Sequence, residues 1–127
     1  MDLYREELMD IYRNPTNKGT MRDPSVAIDK KNPMCGDEIT LQLKFKDNVV
    51  DDAKFEGTAC AVSVIASSIL TEMIIGKTIS ELQDITKEKL LESIGLNLTT
   101  SRVKCATLVL DALNGALEIY DTKETTK

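Results

Sequence analysis

The sequence predicts an α+β domain: a small three-stranded antiparallel sheet packed against about five helices. Three observations predict it. Residues 39–55 alternate apolar and polar around a short polar turn, the pattern of a hairpin with one wet face. Residues 60–75 are apolar almost all round, which suits a helix buried between layers. From Val103 to Tyr120 apolar residues recur every three or four positions, the period of an amphipathic helix.

Bulk properties narrow the class. At 127 residues, residues 1–127 make a single domain large enough to bury a core without covalent staples. The composition is 42% apolar and 29% charged with a formal charge of −5, and the basic residues form no dense run. Nothing in that balance favours a nucleic-acid backbone or an anionic membrane as partner. The apolar stretches are too short and too interrupted to span a bilayer. The N-terminus, MDLYREELMD, carries acids where an export signal needs positive charge and an apolar run, so the expected location is the cytoplasm. There is no histidine. That removes histidine-assisted serine or cysteine hydrolases, His-rich catalytic zinc sites and histidine-ligated haem.

Taken in order, residues 2–13 form a short amphipathic helix with Tyr4, Leu8, Ile11 and Tyr12 on one face, capped by Asp2 and ended by Asn14-Pro15. Asn14-Pro15-Thr16-Asn17-Lys18-Gly19 is a turn-rich loop, read from composition as a plain connector. Ser25 to Asp29 is a short strand carrying Val26 and Ile28. Ile39, Leu41, Leu43 and Phe45 then line one face of a clean strand, and Lys46-Asp47-Asn48 makes a tight turn. Val49, Asp51, Ala53 and Phe55 continue the alternation on the returning strand. The buried helix from Cys60 to Ile75 follows, with Gly76 as its C-terminal glycine. Thr78-Ile79-Ser80-Glu81 has capping-box form and starts a short helix around Leu82. Another helix runs from Thr86 to Ser93 and closes at Gly95. Thr99, Thr100 and Ser101 are candidate caps of the last helix, placing Cys105 in or near its first turn. The polar tail from Asp121 to Lys127 is expected to fray.

Candidate chemistry gathers around Asn32-Pro33-Met34-Cys35-Gly36-Asp37. Proline and glycine here build a turn that fixes a thiol and a carboxylate two residues apart. The hairpin should bring Cys35, Asp37 and Cys60 to one end of the sheet. Three cysteines in a chain without an export signal argue against a disulfide framework, leaving metal binding, redox chemistry or plain burial. Cys60 and Cys105 are both expected at helix starts, where unpaired N–H groups favour the deprotonated sulfur that binds metal or attacks as a nucleophile. Arg102 and Lys104 add positive charge beside Cys105, and Lys104 could pair with Asp37. The plain alternative is that each cysteine is a small buried hydrophobe, which suits Cys60 better than Cys35. Cys35-x-Asp37, 22 intervening residues, Cys60, 44 more and Cys105 is not a zinc-finger spacing. On spacing alone, a shared site and separate burial both remain open.

Four ordered motifs carry a resemblance over nearly the whole chain: Asn14 to Gly19, Asn32 to Asp37, Phe55-Glu56-Gly57-Thr58-Ala59-Cys60-Ala61-Val62-Ser63, and Arg102-Val103-Lys104-Cys105-Ala106. The sequence resembles the IscU/SufU (NifU N-terminal-like) family of iron–sulfur cluster assembly scaffolds. The resemblance implies that Cys35, Asp37, Cys60 and Cys105 surround the place where a cluster is built or a zinc ion sits. It implies a pyridoxal-phosphate cysteine desulfurase (SufS/IscS-type) as sulfur donor, an iron donor, and apo iron–sulfur proteins that receive a transient [2Fe–2S] cluster. Stable clusters usually have four thiolates, so the harder Asp37 oxygen should keep this one labile. Cys105, supported by Lys104, is the expected persulfide acceptor in a scaffold. In a SufU-type zinc-dependent sulfurtransferase the acceptor would instead be Cys35. Two departures mark the chain as a hybrid. Leu98-Thr99-Thr100-Ser101-Arg102-Val103-Lys104 replaces the Leu-Pro-Pro-Val-Lys motif and the histidine of the IscU branch, which argues against a dedicated Hsp70-type release step. Arg102 to Leu108 resembles the SufU branch, yet the insertion that branch typically carries between its second and third cysteines is missing.

Overall fold

The computed structural model describes the backbone of residues 3–33, 36–95 and 100–125, and the side chains of 6–33, 36–95 and 103–120. Among them the order is α1 (Leu3–Arg13), β1 (Val26–Asn32), β2 (Asp37–Lys46), β3 (Val49–Glu56), α2 (Ala61–Ile74), α3 (Ile79–Gln83), α4 (Lys87–Ile94) and α5 (Thr100–Thr125). The three strands form one antiparallel sheet in the order β1-β2-β3, as expected.

The central strand shows why the period of two matters. Ile39, Leu41 and Leu43 are fully buried on one face, where Leu41 faces Ile28 and Phe55 and Leu43 faces Val26 and Ala53. The hairpin turn is Asp47-Asn48, with φ of 54° and 65°. Both residues are left-handed, which Asp and Asn tolerate better than other side chains, and the resulting turn matches the twist of paired strands.

The returning strand departs from the expected alternation. Pairing passes from Lys44 opposite Asp52 to Phe45 opposite Val50, leaving Asp51 without a partner across the ladder. This one-residue bulge reverses the parity. Val50 turns into the core, Val49 is half-buried and Asp51 faces solvent, while Ala53 and Phe55 remain buried.

The segment 14–19 is more than a connector. The Gly19 amide donates to the Phe55 carbonyl and the Phe55 amide to the Asn17 carbonyl, covering the outer edge of β3. The Thr16 amide donates to Ser68 Oγ at 2.9 Å and Asn17 Nδ2 to Thr71 Oγ1 at 3.2 Å, fastening the loop to α2. On α1, Leu8 is buried but Tyr12 is exposed, and Tyr4 lies outside the described side chains.

The helices follow their caps. Thr78 and Glu81 form the full capping box, and the Thr78 amide and hydroxyl hold the Glu81 carboxyl below its usual range. Thr86 caps α4, and Gly95 closes it in the left-handed conformation. At the end of α2 the cap is Ile75, and Gly76 (φ 89°) donates its N–H to the Val50 carbonyl. Two readings of the last helix need correction. It runs from Thr100 to Thr125, so Cys105 sits in its second turn and most of the polar tail is helical. The helix packs against β1 and β2 and also against α2 and α4. Residues 105–110 are therefore buried all round, a wider surface than the expected stripe.

Among the described side chains, one core hydroxyl is left unsatisfied. Ser67, on α2, is fully buried and its hydroxyl has no hydrogen-bond partner. Ser67→Ala removes a desolvated hydroxyl and improves helix propensity. We expect it to raise stability by about 1 kcal/mol, read as a higher urea midpoint with an unchanged denaturant slope.

Candidate metal centre

Three chain crossings meet at one end of the sheet. β1 ends at Asn32, which pairs with Asp37 at the start of β2. The Gly36 amide donates to the Asn32 carbonyl at 2.8 Å, and Gly36 takes φ of 75°, closing the turn between the strands. The Glu38 amide donates to the Thr58 carbonyl at 2.8 Å, so the chain leaving β3 runs beside the first residues of β2. Gly57 is the contact point: a β-carbon there would stand 2.0 Å from the Glu38 carbonyl oxygen. An open hollow of about 290 Å³, lined by Lys31, Asn32, Pro33, Gly36, Asp37 and Glu38, lies at this end.

Asp37, Cys60 and Cys105 converge there. One carboxylate oxygen and the two sulfurs all lie within 4.8 Å of one another. Asp37 and Cys105 are buried and Cys60 is half-buried. Both cysteines are free thiols. Cys35 lies outside the described residues, as does the Arg102 side chain; Lys104 is exposed. The structure thus brings together three of the four expected ligands.

Each ligand is held by a different element. Cys60 is the N-cap of α2, in extended conformation, but its side chain does not cap the helix. Asp37 caps from outside: its Oδ1 accepts the Cys60 N–H at 2.9 Å. A carboxylate from β2 therefore occupies the positive end of α2, beside the thiol that the sequence placed there. Cys105 has no such setting. In the second turn of α5, it depends on helix packing for its place.

The residue that sequence reasoning passed over is Ser63. Its hydroxyl is 2.6 Å from Asp37 Oδ2 and 2.8 Å from the Cys105 carbonyl oxygen. The Cys60 thiol reaches Ser63 Oγ at 3.8 Å. Its position three residues after Cys60, on the first turn of α2, was the available signal.

The donor set suits a thiophilic metal. Tetrahedral zinc with Zn–S near 2.3 Å needs sulfurs roughly 3.8 Å apart, so ligand shifts of about an ångström would close the set around an ion. Two sulfurs and one oxygen fit zinc or iron better than calcium or magnesium, which take oxygen ligands.

Comparison with known proteins places the chain in a family. The family model described as the NifU-like N terminal domain matches residues 3–127. The chain belongs to that family. It is 37% identical over 121 residues to the iron–sulfur cluster assembly scaffold protein IscU 1 of Archaeoglobus fulgidus, covering 95% of this chain and 78% of the relative. It is 38% identical to the zinc-dependent sulfurtransferase SufU of Bacillus subtilis, covering 87% of this chain and 86% of the relative. Among solved structures it resembles a SUF-system protein of Fervidobacterium islandicum, with a TM-score of 0.76 and 26% identity over 92% of this chain and 96% of the other. The α+β fold with its three-stranded sheet is the one this family uses. No described helix is long and apolar enough to cross a membrane.

Proposed function

We propose that this chain is a single-domain iron–sulfur cluster assembly scaffold of the cytoplasm, with Cys35, Asp37, Cys60 and Cys105 as ligands of the nascent cluster. The observation that carries the reading is the convergence of one carboxylate and two thiols within 4.8 Å at the end of the sheet. The sulfur donor is a cysteine desulfurase. Its persulfide is attacked by a thiolate of this chain, with Cys105 the preferred acceptor and Lys104 supporting it. The S–S bond to the donor breaks, and the donor cysteine leaves as a thiolate. Reduction of that sulfur by two electrons from a separate reductase yields sulfide. With ferrous ions from an iron donor, this builds a [2Fe–2S] cargo bound for apo iron–sulfur proteins. Asp37 supplies the harder ligand that lets the cargo leave.

The second reading is a zinc-dependent sulfurtransferase, favoured by the 38% identity to the Bacillus subtilis SufU. Zinc would be held by the same four residues, and Cys35 would then carry the persulfide. The missing internal insertion argues for the scaffold. The SufU match extends over 128 aligned positions but only 87% of this chain, so that relative has positions with no counterpart here. The IscU 1 match covers 95% of the chain in 121 positions, leaving almost no room for gaps.

The deciding experiment is anaerobic purification, a count of zinc and iron, and addition of desulfurase, cysteine, a reductant and ferrous iron. A scaffold develops visible cluster absorption and passes it to an apo-ferredoxin. Retained zinc, no cluster and accelerated desulfurase turnover would hand the case to the sulfurtransferase.

A further inference from the structure

Ser63 touches all three described ligands of the centre, and it does so from inside the protein, at 1% exposure. Its proximity to Asp37 Oδ2, 2.6 Å, is in the range of a strong hydroxyl–carboxylate hydrogen bond. The other carboxylate oxygen is held by the Cys60 amide. One such bond leaves the carboxylate plane free to turn; two fix it. Ser63 Oγ also lies 2.8 Å from the Cys105 carbonyl oxygen, which is the competing acceptor for its single hydrogen.

We propose that Ser63 is a positioning residue: its hydroxyl aims the Asp37 carboxylate at the space between Cys60 and Cys105, and so sets how tightly the centre holds a divalent metal. The proposal rests on Asp37 being a ligand. Outer partners of metal ligands commonly contribute tenfold to a hundredfold in affinity, because they fix ligand orientation before the metal arrives. A competing account makes Ser63 only a clamp between α2 and α5, acting through the Cys105 carbonyl.

Cobalt(II) is the probe, since its visible bands report tetrahedral geometry and its near-ultraviolet bands report thiolate ligation. The reduced full-length protein is titrated without oxygen against a competing chelator, as wild type, Ser63→Ala, Ser63→Thr, Asp37→Ala and the Asp37→Ala/Ser63→Ala double variant. Ser63→Ala should bind about tenfold to a hundredfold more weakly. Ser63→Thr, which keeps the hydroxyl, should recover most of that loss. In the Asp37→Ala background, Ser63→Ala should have almost no further effect, because the group it acts through is gone. Wild-type affinity in Ser63→Ala would overturn the proposal, and so would an equal loss in both backgrounds, which is the clamp. A Ser63→Thr protein that keeps the metal-free melting midpoint yet binds as weakly as Ser63→Ala would also overturn it. Unchanged affinity and spectrum in Asp37→Ala would show instead that the ligand assignment itself is wrong, and the proposal would fall with it.

Discussion

If the centre is the proposed cluster scaffold, replacing Asp37 by cysteine is expected to make it keep its cluster, slowing transfer to an apo-ferredoxin roughly tenfold or more. The reason is the match between ligand and metal. A cluster of iron and sulfide prefers thiolates, and an oxygen at the fourth position is the weakest link of the set. The position is already buried, with a carboxylate oxygen within 4.8 Å of both sulfurs, so a sulfur there needs little rearrangement to reach the cluster. The substitution has a second, opposite effect on the empty protein. Asp37 accepts the Cys60 N–H and lies against the Ser63 hydroxyl, and cysteine is a poor acceptor for both. Without that external cap the start of α2 should be weakened by about 1–2 kcal/mol. The variant should therefore melt earlier when empty, yet retain cluster longer when loaded. Absorbance decay in the presence of apo-ferredoxin measures the second effect, and thermal denaturation of the cluster-free protein measures the first. Transfer at the wild-type rate from an intact cluster would remove Asp37 from the role of releasing ligand.

How much of this centre was legible in the sequence depends on which residue is considered. The turn around Gly36 and the hairpin were written in local chemistry: proline, glycine, a period of two and an Asp-Asn turn. Those signals place Asp37 and Cys60 at the same end of the sheet, where they are found. Cys105 was expected nearby from the family resemblance, and it is found there, but the helix start read for its thiolate does not hold. Cys105 is not at a helix start; α5 already includes Thr100 and Ser101, two of the residues read as caps, and the third, Thr99, lies outside the described residues. What brings its sulfur to the others is the packing of α5 across the sheet and α2, a long-range fact that periodicity alone does not encode. Asp51 illustrates the same limit in the sheet. A bulge inserts one residue without changing the composition, so strict alternation misassigns Val49 and Val50. Ser63 was hidden for a different reason. A serine on an apolar helix reads as a neutral small residue, and only its two partners from distant elements reveal a role.

The largest loss of stability should come from Gly57→Ala. Gly57 has φ of 134°, a conformation that side chains rarely adopt, and its missing side chain is what lets the chain leaving β3 pass over β2. An added β-carbon would lie 2.0 Å from the Glu38 carbonyl oxygen, 3.0 Å from its carbon and 3.2 Å from the Ile39 α-carbon. All three are backbone atoms of the central strand, and none can swing aside as a side-chain tip would. Either the Glu38 peptide moves, which drags the neighbouring Asp37 away from Cys60, or the Gly57–Cys60 segment lifts off and takes the start of α2 with it. A strained φ together with a backbone clash should destabilise the fold by about 3 kcal/mol or more, and the protein that remains folded should bind metal poorly. Gly115→Ala is the control that separates strain from the mere loss of a glycine. There the new β-carbon meets Ile28 Cδ1 at 2.6 Å, the flexible end of a side chain, and the helix gains about 1 kcal/mol of propensity. Its stability should stay within about 1 kcal/mol of wild type. Chemical denaturation of the two variants side by side decides the matter: equal, small effects would mean that the crossing at Gly57 is looser than its geometry requires. A large loss confined to Gly57→Ala, accompanied by weakened cobalt binding, would tie the stability of that crossing to the placement of Asp37.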